Sequence, residues 1–380
     1  MRSAIMSLLL RRNLYLRITP LCHCVSTSPE GNLKAGEYIV TSNPHEPLAT
    51  DVIDVRTQAE FLEDHIPGAI NMPVLDNKQR HDVGKLYNEL PFEARKTGAQ
   101  IISHNIGHHI EQYFQNKGQE YCPLIYCWRG GQRSRSLAIV LSQIGFKVYM
   151  LHGGYKTYRR KVIQDLEELP QQFDFRIISG LTGTGKTLIL HRLQELGEQV
   201  LDLESAAHHK GSLLGLWHGQ QQPSQKYWES VIRRELSQFD TSKPVWVESE
   251  SRRIGNCVIP TELFEKLCHS PRSEINLSVG ERVKHIIRDY PNWIDDVDSL
   301  CQIVWALRVH VGEKKAQFWC DLARQQRWDE FVEYILVEHY DKSYSMSQKK
   351  NRKHQTFDKH FLADLSDESI NELMDNLLKK

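Results

Sequence analysis

Positions 180–187 constrain this chain most: Gly-Leu-Thr-Gly-Thr-Gly-Lys-Thr, a match to G-x-x-x-x-G-K-[ST]. An apolar run at 175–179 predicts a strand before it, and the pattern at 186–196 predicts a helix after it. Strand, glycine-rich loop and helix together make an anion cradle. Glycines let the backbone approach an anion with its N–H groups turned inward, and the helix N-terminus adds a positive dipole end. Gly180, Thr182, Gly183, Thr184, Gly185 and Lys186 are the candidate phosphate contacts, and the Thr187 hydroxyl is placed for Mg²⁺. A metal also needs an acid from a neighbouring strand. Glu248 ends the apolar run 245–248, and Asp202 and Glu204 compete for a second place; Glu248 and Asp202 are the preferred pair. The motif implies phosphate or diphosphate binding, not nucleotide hydrolysis.

A second site has similar logic. Tyr126-Cys127-Trp128-Arg129-Gly130-Gly131-Gln132-Arg133-Ser134 follows a predicted strand at 124–127 and opens a helix at 134–144. Backbone donors and a helix N-terminus around a cysteine favour a nucleophilic sulfur. Arg129 and Arg133 can grip an oxyanion, and Gly130 and Gly131 let the backbone close around it. Such a cradle suits a persulfide, a perselenide or a thiophosphoryl group. The other seven of the eight cysteines are scattered without paired C-x-x-C units, which argues against a zinc site.

Strands predicted at 51–55, 124–127, 147–151, 175–179, 199–203 and 245–248 alternate with helices, so the fold class is α/β with parallel sheets. A polar insertion at 76–119 carries His104, His108 and His109 and reads as a solvated helix pair. Residues 156–168 read as a charged helix and 169–172 as a linker, and the chain beyond 260 reads as mostly helical. The expected division is a leader at 1–35, a first domain at 36–168, a phosphate-loop domain with a helical C-terminal part at 173–345, and a basic tail at 346–380. The leader has Arg2, Arg11, Arg12 and Arg17 among leucines and no acid before Glu30, the pattern of a mitochondrial transit peptide; without import the expected location is the cytoplasm. Elsewhere no uncharged apolar stretch approaches the roughly 20 residues that span a bilayer. The 48 basic and 48 acidic side chains of the 380 residues cancel, so net charge names no partner and local basic groups must be considered instead.

The first domain resembles a rhodanese. Asp54-Val55-Arg56, Glu60-Phe61 and residues 65–71 look like that family's N-terminal signature, and Leu151-His152-Gly153-Gly154-Tyr155 like its C-terminal one. Cys127 stands where that family carries its catalytic cysteine. The C-x5-R spacing from Cys127 to Arg133 is one residue longer than in the usual sulfurtransferase loop and is similar to dual-specificity phosphatases of the same fold. The loop length therefore leaves sulfur, selenium and phosphate chemistry open. Its fusion to a phosphate-loop (P-loop NTPase-like) domain resembles the tRNA 2-selenouridine synthases over residues 51–344. The shared blocks include 179–187, Asp202-Leu203-Glu204, His209-Lys210-Gly211-Ser212 and residues 248–255. The resemblance implies a transferase that exchanges the sulfur of wobble 2-thiouridine in tRNA for selenium from selenophosphate, through S-geranylation by geranyl diphosphate. Arg252, Arg253, Lys156, Arg159 and Arg160 are then candidate contacts to the tRNA backbone. Two other readings remain: a rhodanese-fold phosphatase or thiosulfate sulfurtransferase fused to a kinase-like domain, and a non-catalytic tRNA-binding module. The sequence leaves the oligomeric state open.

Overall fold

The computed structural model describes residues 25–26, 36–210, 221–344 and 357–379. Its contacts divide the chain into two units, one of residues 1–57 and 70–155, the other of residues 58–69 and 156–380. The leader, apart from 25–26, and residues 346–356 and 380 of the expected tail lie outside the described residues.

The first unit is built on one parallel sheet. Its strands are β1 (Val25–Ser26), β2 (Tyr38–Thr41), β3 (Asp51–Asp54), β4 (Ile70–Asn71), β5 (Pro123–Tyr126) and β6 (Tyr149–Leu151), in the order β1-β2-β6-β5-β3-β4. Every residue of β5 is buried, as its unbroken apolar run requires of a central parallel strand. Helix α1 (Gln58–Glu63) follows β3 in the chain but belongs to the second unit by its contacts. The insertion forms α2 (Asn77–Glu89) and α3 (Pro91–Gln112). Asp76 and Gln79 close a capping box at the start of α2. His109 Nε2 lies 3.0 Å from the Pro73 carbonyl oxygen, and none of the three insertion histidines joins a metal-ligand group among the described residues. Helix α4 (Gln132–Ile144) places Leu137, Ala138 and Leu141 against Ile53, Val55 and Ile125. It ends at Gly145, whose left-handed backbone satisfies the helix terminus.

Helix α5 (Gly154–Glu168) leads into the second unit. Its sheet has β7 (Phe175–Gly180), β8 (Gln199–Leu201), β9 (Val245–Glu248), β12 (Arg272–Asn276) and β13 (Phe357–Phe361), all parallel, in the order β13-β12-β7-β9-β8. A short antiparallel ribbon, β10 (Arg253–Ile254) and β11 (Cys257–Val258), stands apart from it. The helices are α6 (Lys186–Glu195), α7 (Leu203–Ala206), α8 (Gln225–Gln238), α9 (Thr261–His269), α10 (Val279–Asp289), α11 (Pro291–Asp295), α12 (Val297–Ala306), α13 (Arg308–Val311), α14 (Glu313–Arg324), α15 (Trp328–Ile335) and α16 (Asp367–Leu378). One turn of π-helix, Leu336–Tyr340, continues α15. Leu300, Val304, Trp319, Phe331 and Ile335 form the core of the helical part.

Three features depart from the sequence reading. The stretch beyond 260 contains β12, which pairs with the central strand β7. The expected tail supplies β13 and α16; Ile370, Leu373, Met374 and Leu377 pack on Ile178, Leu190 and Trp246. An amphipathic helix late in the expected tail thus completes the sheet's core, so 357–379 is structural. The domain boundary also differs: residues 156–168 group with the second unit, where Asp165 pairs with Arg233 at 2.8 Å.

Candidate active site

The cysteine loop sits at the carboxyl end of β5, between β3 and β6, where open parallel sheets place their ligands. Cys127 is 3% exposed. The Gly131 amide donates to its Sγ at 3.2 Å, and the Ser134 hydroxyl, in the first turn of α4, lies 3.3 Å from it. Arg129 is exposed and Arg133 half-buried. Gly154 forms its floor. Its φ is +58°, and a Cβ there would fall 2.2 Å from the Cys127 carbonyl oxygen and 2.6 Å from the Gly130 nitrogen. The Tyr155 amide donates to that same carbonyl at 2.8 Å. Glycine is therefore required by both dihedral and space. Trp128, 36% exposed, has its ring 5.2 Å from that of Tyr155. The Arg56 guanidinium lies 4.0 Å from the Tyr155 centroid and is clamped by the buried Asp54 carboxylate, with Nη2–Oδ2 at 2.6 Å.

The phosphate loop leaves the central strand β7 and enters α6. Gly180 has φ +155° and its absent side chain makes room for the β12 backbone; a Cβ would come within 2.7 Å of the Ile275 carbonyl oxygen. The Thr184 hydroxyl donates to the Leu181 carbonyl at 2.9 Å, closing the loop on itself. Two residues missed by sequence reasoning hold it from outside. Arg282, 1% exposed, donates through Nε to the Thr182 carbonyl at 2.8 Å and is paired with Asp341 at 2.6 Å. The Tyr344 hydroxyl accepts from the Gly180 amide at 3.2 Å. Both come from segments without a motif, so only the fold reveals them.

Glu248, at the end of β9, engages both signature residues: Lys186 Nζ lies 3.2 Å from Oε1, and the Thr187 hydroxyl donates to Oε2 at 3.1 Å. Burial alone lowers the Lys186 pKa, but Glu248, with Tyr344, Glu250 and Glu204, outweighs it and holds the ammonium above its usual range. The carboxylates that converge are Glu204, Glu248 and Glu250, with ligand oxygens within 4.8 Å of one another. Burial, then the negative charge of Glu248, pushes the carboxyls of Glu204 and Glu250 upward. Asp202, preferred over Glu204 by the sequence reading, is outside this group. Its carboxylate caps α7 by accepting from the Ser205 amide at 2.8 Å and lies 3.4 Å from His191. An N-cap role holds its oxygens away from the triad. The site opens into a cavity of about 570 Å³ lined also by Lys210, Arg272, His285 and Tyr344.

Of the basic groups expected to meet tRNA, Lys156, Arg160, Arg252 and Arg253 are exposed. Arg252 donates to the Thr261 hydroxyl at 3.1 Å. Arg159 is committed elsewhere: it is ion-paired with Glu229, lies 3.8 Å from Asp64 and donates to the Lys226 carbonyl at 3.1 Å. A guanidinium so engaged must break those contacts to meet a phosphate, so its place in the fold is that of a clamp.

A family model described as the tRNA 2-selenouridine synthase AAA domain matches residues 173–302, and the rhodanese-like domain model matches residues 40–161. The tRNA 2-selenouridine synthase of Marinobacter nauticus is 30% identical over 331 residues, 79% of this chain and 89% of that protein. That of Nitrosomonas europaea is 33% identical over 246 residues, and that of Bdellovibrio bacteriovorus 35% over 246 residues. These two matches cover 63% of this chain and span 63% and 64% of the respective relatives, just under two thirds. Two domain models in this order, and a relative matched along most of its length, place the chain in the tRNA 2-selenouridine synthase family.

Proposed function

We propose that this protein exchanges the 2-thio sulfur of a wobble uridine in tRNA for selenium, with geranyl diphosphate as alkylating donor and selenophosphate as selenium source. The supporting observation is that one chain carries two anion cradles, one around Cys127 and one around Lys186. The thiocarbonyl sulfur attacks the first carbon of the geranyl chain, and diphosphate leaves with the electron pair of the broken C–O bond. Selenium then attacks C2 of the base, the C–S bond breaks and geranylthiol departs. Water cleaves the remaining Se–P bond to release phosphate. Alkylation matters because it turns a poor leaving group into a better one.

Lys186 and the loop amides bind the diphosphate, with Lys186 exchanging its Glu248 partner for the incoming anion. Thr187, Glu204, Glu248 and Glu250 supply hard oxygen donors of the kind Mg²⁺ takes, and bound Mg²⁺ would neutralise charge on the diphosphate. Cys127, with the Gly131 amide and Ser134 beside its sulfur, serves the selenium or sulfur transfer, with Arg129 and Arg133 gripping the oxyanion. Lys156, Arg160, Arg252 and Arg253 position the tRNA backbone.

The test is to incubate 2-thiouridine-containing tRNA with the protein, geranyl diphosphate, selenophosphate and Mg²⁺, and to weigh the nucleosides after digestion. A sulfur-to-selenium mass shift lost in Cys127→Ala, and a geranyl adduct lost in Lys186→Ala, are expected. Unchanged 2-thiouridine alongside turnover of thiosulfate or an aryl phosphate would overturn the reading in favour of a sulfurtransferase or phosphatase. The acid-free N-terminal stretch supports mitochondrial import; a fluorescent fusion of residues 1–35 that stays diffuse would refute it.

A further inference from the structure

Beside the phosphate loop lies a second cavity, a slot of about 50 Å³ between α10, α11, α12 and α15. Its wall is built from Ile287, Trp293, Ile294, Leu300, Phe331 and Val332. It is continuous in lining with the phosphate chamber: Thr182, Ile286, Tyr290 and Tyr340 line both. Ile286 belongs to both linings. A Cβ on Gly183 of the phosphate loop would fall 2.9 Å from Ile286 Cδ1, so this side chain rests directly on the loop.

A charged chamber that shares four lining residues with an apolar slot is matched to a ligand with the same division. We infer that the slot receives the far end of the apolar chain of a diphosphate ester whose phosphates lie on the Lys186 loop. This rests on the reading of that loop as a diphosphate-donor site. By volume the slot holds roughly four water-sized spheres, about the bulk of one branched five-carbon unit. The near half of a ten-carbon chain then stays in the larger chamber, with its first carbon beside Lys186. On this assignment a five-carbon chain should fill the slot less completely than a ten-carbon chain, and a twenty-carbon chain should overfill it. The slot's residues would therefore set chain-length preference, while Lys186 and the loop set diphosphate affinity.

The experiment uses the full-length protein and binding rather than turnover. Affinities for inorganic diphosphate and for dimethylallyl, geranyl and geranylgeranyl diphosphates are measured by tryptophan fluorescence, since Trp293 lines the slot, and cross-checked by calorimetry. Geranyl diphosphate is expected to bind at least about tenfold tighter than inorganic diphosphate and tighter than either other ester. Val332→Phe, which fills the slot, should erase that advantage and leave inorganic diphosphate affinity unchanged. Ile294→Trp at the more exposed rim provides the same test if Val332→Phe folds poorly. Diphosphate binding without chain preference, or a preference that survives both variants, would overturn the slot assignment alone. Failure to bind inorganic diphosphate or any of the esters would overturn the donor reading and the slot together.

Discussion

At the scale of single residues, two positions carry the sharpest consequences. Gly154 touches the Cys127 loop from beneath, and its backbone is left-handed. Gly154→Ala should cost about 1–2 kcal/mol for the dihedral alone and must also move the Cys127 carbonyl. Selenium incorporation is expected to fall by about 100-fold or more, as a displacement of about 1 Å at a reacting group can cause, while inorganic diphosphate still binds; retained incorporation would show that the loop tolerates the shift. Glu204 gives a prediction of opposite sign. Burial and the adjacent Glu248 and Glu250 raise its pKa, so the folded protein keeps a proton that the unfolded chain releases above the ordinary carboxylate range. Stability from this group is complete below that range and is lost as pH rises through the elevated folded value. Without metal, Glu204→Gln should therefore flatten the fall of Tm with rising pH and raise Tm at pH 8 by about 2–4 °C, taking about 1 kcal/mol of relief for a unit of this size. Equal slopes for the two proteins in chelator-containing buffer would contradict it.

At the scale of elements, the segment 336–344 and the terminal pair β13 and α16 show how the phosphate loop is supported. Tyr344 accepts the Gly180 amide and Asp341 pairs with Arg282, which holds the Thr182 carbonyl. Tyr344→Phe leaves that amide without its acceptor, a loss of about 0.5–1.5 kcal/mol. Inorganic diphosphate affinity should weaken by about two- to tenfold with little change in Tm, readable by calorimetry. Helix α16 acts through packing. Leu373 is 2% exposed against Ile178 and Leu190, so Leu373→Ala should cost about 2–5 kcal/mol. A denaturant midpoint that does not move would mean that α16 does not complete the core.

At the scale of the whole molecule, the chain is two α/β units, each placing one glycine-rich loop at the carboxyl end of a central parallel strand. Each loop is bounded by residues of its own unit: Ser134 and Gly154 for Cys127, Glu248 and Arg282 for Lys186. The two half-reactions of the proposed exchange should therefore separate by mutation. Cys127→Ala is expected to leave geranyl diphosphate binding within about twofold of the unaltered protein, since the partners named for one loop are not partners of the other. A joint loss of both activities in that variant, with the protein folded, would show that the sites do not act independently.

The sequence by itself determined the α/β class, the strands β3, β5, β7 and β9, and the two loops. Those features are local: a run of apolar residues, a glycine where the backbone must bend, a nucleophile or lysine at a fixed spacing. It did not disclose β12 and β13, because Arg-Ser-Glu-Ile-Asn and Phe-Asp-Lys-His-Phe lack the apolar run that marked the central strands. Nor did it rank Glu204 and Glu250 over Asp202. That choice depends on which carboxylate is taken by a helix cap and which is left facing Lys186. Arg159 was equally illegible, because a charged residue looks the same in sequence whether it meets solvent or is paired with Glu229. Spacing along the chain records chemistry that neighbours perform together, whereas the partners of a buried charge come from distant segments that only folding brings into contact.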